Sequence, residues 1–258
     1  MRRSAGRILS THVGSLAWLD GPPAAYTDER FGGFEGRAPD GTPPLITRGR
    51  DREAFADFYR YATEKGTLFY LPGTQIHQKR VNWVCTGPIH YRGHAAVKRE
   101  IELLLAHVPK EDAFLTCTAP ASLEVDDAWL PALWDRIGMD MGIDAFRRRC
   151  ALRIEALNHA LRNVPEEQVR YHLCWGSWHG PHAFDLGLEA IVDLMLKVKA
   201  QAYLVEGANA RHDHEVAVWE KVKLPAGKIL IPGVVTHATD VVEHPELVSQ
   251  RLQRYARL

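Results

Sequence analysis

Two stretches of the chain decide the fold prediction: residues 171–176, which read YHLCWG, and residues 205–209, which read VEGAN. Side chains alternate along a strand, so His172 and Cys174 point to the same side and can bind one ion together. Glu206 ends a second apolar strand, about one βα unit later. Because parallel strands bring their C-terminal ends together, the three side chains predict a zinc site, since imidazole, thiolate and carboxylate all bind zinc. The alternative interpretation of the first stretch is a half-buried His and Cys on an ordinary strand.

Short apolar segments alternate with helical stretches along the chain, a pattern that predicts a parallel sheet with crossover helices. Strands are predicted at residues 7–13, 81–85, 113–118, 123–127, 169–175, 202–206 and 228–235. Helices are predicted at residues 95–107, 144–162, 184–199 and 244–255. Because polar residues follow the strand ends and no GxGxxG or P-loop occurs, an α/β fold of the (β/α)8 TIM-barrel type is favoured over a doubly wound sheet. We predict one domain over residues 1–258, with a loop-rich insertion around residues 17–50.

The composition is that of an ordinary globular protein, and it argues against two classes of partner. Of the 258 residues, 46% are apolar, and 32 basic residues balance 32 acidic ones to a formal net charge of zero. This balance gives no electrostatic reason to expect nucleic acid or an anionic membrane as a partner. We also expect no membrane span and no signal peptide, because no long apolar run occurs. Four scattered cysteines without CxxC pairs predict a reducing cytoplasm.

Five segments carry a resemblance to a known family. They are, in chain order, residues 10–16 (STHVGSL), 125–127 (VDD), 172–174 (HLC), 205–209 (VEGAN) and 232–235 (PGVV). In this order they resemble strand ends of the catalytic barrel of cobalamin-independent methionine synthase. Two longer segments, residues 175–182 (WGSWHGPH) and 234–240 (VVTHATD), resemble the single-domain bacterial relatives of that enzyme. The resemblance runs from about residue 8 to residue 258.

The resemblance implies a (β/α)8 barrel with zinc at its C-terminal face, held by His172, Cys174 and Glu206. A thiol substrate would bind this zinc as a thiolate and attack an activated methyl or alkyl carbon. The implied partners are a homocysteine-like thiol and a methyl donor such as a folate, with a homo-oligomer as a further expectation.

Four more side chains are predicted to act at the same face. Asp126 would hold the substrate amino group, as the resemblance implies, and is assigned a catalytic role together with His237, which follows another strand end. His12 and Ser15 end the first predicted strand and would line the substrate pocket, with local backbone capping as the alternative.

Three interpretations concern neighbouring residues. Asp185 is predicted to cap the helix at residues 184–199. Residues 209–215 are interpreted mainly as a solvated, charged helix start, from which Arg211 or His214 could face the pocket. Trp175 is interpreted as a core residue, with stacking on a flat methyl donor as the alternative.

The chain departs from the family pattern at three places. It lacks the cysteine of the last barrel strand, which is the family's fourth zinc ligand, and the Asp-Gly-Glu that ends the second strand. Residues 123–126 also run on without an intervening helix. We therefore expect an incomplete barrel that lacks about two of its eight strands, including the last. The alternatives are an epoxide-opening thiol transferase, a metal-dependent hydrolase, and a non-catalytic fragment or pseudoenzyme that a partner completes.

Overall fold

The computed structural model describes residues 31–37, 49–64, 82–111, 113, 129–176, 180–236, 238–239 and 241–258. The strands are β1 (Phe31–Arg37), β2 (Asn82–Tyr91), β3 (Arg170–Leu173), β4 (Ala202–Glu206) and β5 (Ile229–Gly233). The longer helices are α2 (Ala56–Glu64), α3 (His94–His107), α6 (Ile143–Ala160) and α9 (Pro245–Ala256). The short ones are α1 (Arg50–Ala54), α4 (Trp129–Leu133), α5 (Met139–Met141), α7 (Val192–Met195) and α8 (Val218–Lys221). A π-helical turn covers Trp134–Gly138, and 3-10 turns cover Glu166–Gln168, Leu188–Ala190 and Asp213–Ala217.

A three-stranded parallel sheet with the order β3-β4-β5 carries the predicted zinc ligands. Its strands follow one another in the chain, and helical segments lie between them. The bounds of β4 agree with the predicted strand at residues 202–206, because five consecutive buried residues leave little choice of register or end point. The two neighbouring strands are each three residues shorter than predicted, one residue at the N-terminal end and two at the C-terminal end.

The core lies on one face of this sheet. Tyr171 and Leu173 of β3 and Tyr203 and Val205 of β4 belong to one buried cluster. Helix α6 contributes its apolar stripe to the same cluster, namely Phe146, Cys150, Ile154 and Leu157. Leu152, an apolar residue of the same helix, is not part of this stripe and is 66% exposed. At 100° per residue it lies about 200° around the helix from Cys150, so it faces away from the sheet.

The predicted helix at residues 184–199 is wrong in its extent. The chain forms only the 3-10 turn at Leu188–Ala190 and the four-residue helix α7. Residues 184–187 take no helical conformation, and Gly187 has an extended backbone at the start of the 3-10 turn. The apolar residues here are nevertheless buried, because both short turns pack against the sheet. The apolar spacing of three to four residues therefore predicted correctly which residues are buried, but it did not specify a continuous helix.

A second, separate sheet is a two-stranded antiparallel pair of β1 and β2. Strand β1 lies inside the predicted loop-rich insertion at residues 17–50, so the loop prediction is wrong at Phe31–Arg37. The predicted strand at residues 81–85 belongs to the longer β2, whose residues 85–91 are exposed, and it is not a buried parallel strand. A register shift between Gly32 and Phe34 accompanies a positive φ of 94° at Gly33. A Cβ at Gly33 would lie 2.5 Å from the Pro88 carbonyl oxygen, so the irregular pairing requires glycine there.

The observed class is therefore mixed α/β, with small sheets and no closed barrel among the described residues. The predicted strands at residues 7–13 and 123–127, and nearly all of 113–118, lie outside the described residues. In the described parts of the chain, every helix is too short or too polar to span a lipid bilayer.

Candidate functional site

The three predicted zinc ligands lie at neighbouring positions of the parallel sheet. Leu173, the last residue of β3, pairs with Val205, so Cys174 and Glu206 are the next residues of the two chain segments at the C-terminal edge. His172 lies two residues before Cys174, and therefore on the same face, opposite the face that packs on the core. Cys174 and Glu206 are buried, and His172 is half-buried. The three predicted positions thus lie at or near the C-terminal ends of two neighbouring strands.

Backbone and side-chain amides orient two of these groups. The Gly176 N–H donates to Cys174 Sγ at 3.4 Å and so fixes the position of the sulfur. The Asn209 side-chain Nδ2 donates to Glu206 Oε2 at 2.9 Å. Asn209 is itself fixed, because its Oδ1 accepts from both the backbone N–H and the Nε of Arg211 at 3.1 Å. A hydrogen-bonded carboxylate of this kind is typical of the surroundings of a metal ligand.

The arrangement of the side chains does not by itself complete a metal centre. Within the described ranges, no group of three His, Cys, Asp or Glu side chains is close enough together to hold a metal ion. The positions on the sheet and the donor types nevertheless fit zinc. The assignment to His172, Cys174 and Glu206 stays a prediction.

The other predicted site residues cannot be located relative to this edge. Asp126 and His237, with predicted catalytic roles, and His12 and Ser15, with predicted substrate contacts, lie outside the described residues. Their assignments also stay predictions.

Next to the edge lies a largely buried chain of four ionisable side chains, of which His212 and Glu215 are buried and His182 and Asp185 partly buried. His182 Nδ1 donates to Asp185 Oδ1 at 3.0 Å, and Asp185 Oδ2 faces His212 Nε2 at 3.1 Å. On its other side, His212 Nδ1 faces Glu215 Oε2 at 3.1 Å, and Glu215 Oε1 accepts from the Leu188 N–H at 2.6 Å. We call His182, Asp185, His212 and Glu215 the relay. It joins the segment after β3 to the segment after β4.

The relay corrects two predictions. Asp185 does not cap a helix, because both of its oxygens engage histidine rings. Residues 209–215 are not mainly a solvated helix start, since Asn209, His212 and Glu215 are buried. Polar and charged side chains remain buried in a protein when they have a partner. Here Asn209 pairs with Glu206, and His212 pairs with Glu215.

Hydrogen bonds outweigh burial in setting the charges of the relay. Burial alone would raise the pKa of Asp185, but the hydrogen bonds from His182 and His212 lower it to about 2. Burial alone would lower the pKa of His212, but the hydrogen bonds to Asp185 and Glu215 raise it to about 9. At neutral pH the relay therefore contains a buried carboxylate at Asp185 and a buried imidazolium at His212.

Trp175 covers the imidazolium. Its ring stacks on the His212 ring with centroids 3.7 Å apart and an interplanar angle of 16°. Its Nε1 donates to the Leu186 carbonyl at 2.7 Å, and the side chain is almost fully buried. The interpretation of Trp175 as a core residue is thus confirmed, and its stacking partner is the protein's own cation.

A second pair of buried carboxylates ties helix α1 to the same region. Asp135, in the π-helical turn, accepts from the Arg50 N–H at 2.8 Å and the Asp51 N–H at 3.3 Å. Asp51 Oδ1 accepts from the Ala183 N–H at 2.7 Å, within the segment that carries the relay. Burial raises the pKa of both Asp51 and Asp135. These contacts hold α1 against the segment that follows β3.

Sequence reasoning missed the relay, although one signal was present. Each half of it is a His followed three residues later by an acid, at His182-Asp185 and at His212-Glu215. Both pairs follow the C-terminal end of a predicted strand, where α/β proteins place functional residues. The contact between the halves, Asp185 to His212, joins residues 27 positions apart and depends on how the two segments pack.

Comparison with known proteins identifies no relative. No protein-family model, no curated protein and no solved structure matches the chain. The resemblance to cobalamin-independent methionine synthases therefore stays a prediction that rests on the motifs quoted above.

Proposed function

We propose that this protein is a zinc-dependent transferase that moves a methyl or other alkyl group onto a thiol. Zinc would be held at the C-terminal edge of the parallel sheet by His172, Cys174 and Glu206. The acceptor would be a homocysteine-like thiol, and the donor a methyl carrier such as a folate. The motif resemblance suggests this reaction, and the geometry of the edge supports it.

The observation that carries the proposal is the register of β3 and β4. Because Leu173 pairs with Val205, Cys174 and Glu206 are the next residues of two neighbouring chain segments, and His172 lies two residues before Cys174. A register shifted by one residue would move Glu206 to the core face, away from Cys174. A thiolate, an imidazole and a carboxylate on adjacent strand ends form a ligand set that suits zinc, in a position where α/β proteins bind ligands.

The chain's own residues would fix the ligands and exclude water. The Gly176 N–H donates to the Cys174 sulfur, and Asn209 holds one oxygen of Glu206, so that both groups are oriented before metal binds. Burial of Cys174 and Glu206 strengthens their electrostatic interactions with a cation. The chemistry that zinc supplies when bound is a lower pKa for a thiol substrate, which then reacts as the nucleophilic thiolate.

The first experiment is the zinc content of the purified protein. We expect about one zinc per chain in the wild type and none in Cys174→Ser, because a serine hydroxyl is a poor zinc ligand. Cys85→Ser is the matched control, since Cys85 is an exposed free cysteine far along the chain, and it should retain the metal. Full zinc retention in Cys174→Ser would refute the assignment of this ligand.

A second experiment tests the reaction class. X-ray absorption at the zinc edge should show an added sulfur ligand when homocysteine is present. Incubation with homocysteine and candidate methyl donors should then yield an S-methyl product, detected by mass spectrometry. Product that forms from a donor and water, without any thiol, would instead identify a hydrolase.

A further inference from the structure

His212 is linked to both strand ends of the proposed zinc site. On one side its ring stacks at 3.7 Å on Trp175, the residue that follows Cys174. On the other side its backbone N–H donates to the Asn209 carbonyl at 2.8 Å, and the Asn209 side chain donates to Glu206. Cys174 and Glu206 belong to different chain segments. His212 contacts Trp175, which follows Cys174 in the chain, and Asn209, which is hydrogen-bonded to Glu206.

The ring of His212 is held rigidly by its charge. Both ring nitrogens lie 3.1 Å from carboxylate oxygens, one of Asp185 and one of Glu215. A carboxylate oxygen accepts hydrogen bonds, so two carboxylate partners favour a proton on each ring nitrogen, and the raised pKa of His212 agrees with an imidazolium. Its side chain is only 3% exposed, so water does not compete for these bonds. Rotation of the ring would break both bonds and the stacking on Trp175 at once.

We propose that His212 is a positioning residue, a buried imidazolium that fixes the ends of β3 and β4 relative to each other and thereby sets the arrangement of Cys174 and Glu206. It acts through Trp175 and Asn209 and contacts no substrate. The relevance of this role to metal binding rests on the proposed function, whereas the positioning itself is a property of the metal-free protein.

The test of positioning is the rate at which thiols are alkylated in the native, metal-free, full-length protein. Each variant is treated with iodoacetamide, and peptides containing Cys174, Cys150 and Cys85 are followed by mass spectrometry. Cys174 and Cys150 are buried in different elements, and Cys85 is exposed. His212→Gln is compared with His214→Gln, an exposed histidine two residues away.

We expect His212→Gln to accelerate the labelling of Cys174 several-fold relative to Cys150, with Cys85 unchanged, and His214→Gln to behave as the wild type. An unchanged rate at Cys174 would overturn the proposal. Equal acceleration of Cys150 and Cys174 would also overturn it, because that result means a general loss of structure rather than a local effect at the strand end.

A spectroscopic measurement tests the charge directly. Nitrogen-15 NMR of the histidine rings near neutral pH should show one ring with both nitrogens protonated, a signal that disappears in His212→Gln. In Glu215→Gln the Nδ1 of His212 loses its carboxylate partner, so the signal should move toward that of a neutral ring. A neutral His212 ring in the wild type would overturn the proposal.

Zinc binding separates the two proposals. If the wild type binds zinc, His212→Gln should weaken binding by about 10- to 100-fold, as is typical when the groups that orient metal ligands are lost. If the wild type binds no zinc, the proposed function fails, and the labelling and NMR results still decide whether His212 positions the strand ends.

Discussion

Asp185 is the residue on which the relay depends most, because its two oxygens serve both His182 and His212. In Asp185→Asn the buried imidazolium loses one of its two carboxylate partners and keeps Glu215. We expect the free energy of unfolding to fall by about 2 kcal/mol, because a charge-assisted hydrogen bond is lost in a site that water does not reach. Urea unfolding followed by circular dichroism would measure this change.

The control for this prediction is Asp193→Asn. Asp193 forms a bidentate ion pair with Arg147 at 2.9 and 2.7 Å, but its side chain is 53% exposed. An exposed pair contributes little, so this variant should lose no more than about 1 kcal/mol. Equal losses in the two variants would contradict the importance of the relay.

The pH dependence of stability follows from the same residues. The pKa of His212 is raised from 6.5 to about 9, so its contribution to stability is complete below pH 6.5 and is lost as the pH rises through 9. The pKa of Asp185 is lowered from 3.8 to about 2, so its contribution is present above pH 3.8 and is lost as the pH falls through 2.

We therefore expect the free energy of unfolding to decline between pH 6.5 and 9 in the wild type, with a smaller decline in His212→Gln. Denaturant titrations at a series of pH values would measure both curves. Parallel curves for the two proteins would show that His212 is not charged in the folded state.

At the scale of the elements, the absence of a side chain at Gly207 allows Tyr255 of α9 to pack closely on the end of β4. A Cβ at this position would lie 2.8 Å from Tyr255 Cε2 and 2.9 Å from its hydroxyl oxygen. Gly207 has no positive φ, so the constraint is space and not backbone conformation. We expect Gly207→Ala to cost about 1–3 kcal/mol of stability through overpacking, as measured by chemical denaturation.

Two further variants identify the cause. In a Tyr255→Leu background the ring is gone, so the cost of Gly207→Ala should largely vanish, with a coupling energy of about 1 kcal/mol or more. Gly87→Ala, whose added Cβ would meet nothing within 4 Å, should stay within about 0.5 kcal/mol of the wild type. A full cost in the Tyr255→Leu background would exclude the steric explanation.

Local patterns predicted some elements well and others not at all. Strand β4 and helix α3 agree with their predicted bounds to within one residue, because a short apolar run and a long helical stretch each specify one structure. Strand β1 was missed because its sequence, FGGFEGR, has glycines where a strand usually has β-branched residues, and its pairing partner β2 lies far along the chain.

The candidate site was predictable to the same extent. The alternation of His172 and Cys174, and the strand end at Glu206, followed from periodicity alone. The relay did not, because burial of charged residues such as His212 and Glu215 depends on partners in another segment. The sequence shows that residues 211–215 are charged or ionisable, but it does not show what they pair with.

For the whole molecule, the distribution of buried residues predicts the order in which the elements unfold locally. All five residues of β4 are buried, whereas α3 has no buried residue and residues 85–91 of β2 are exposed. Opening free energies rise with buried contact, so amides of β4 should exchange last and those of α3 and β2 first. Hydrogen exchange followed by mass spectrometry would check this order. Slower exchange in α3 than in β4 would contradict it.

The contact between Asp185 and His212 also has a consequence for protein engineering and for divergence. In α/β enzymes the segments after successive strands are often exchanged one at a time, while the scaffold stays constant. Here the segment after β3 supplies the carboxylate and the segment after β4 supplies the cation. A graft that replaces only one of them would remove the Asp185–His212 contact, so that each half would keep only the partner in its own segment, Glu215 for His212 and His182 for Asp185. Transplanting or diversifying the two segments as a matched pair preserves this contact.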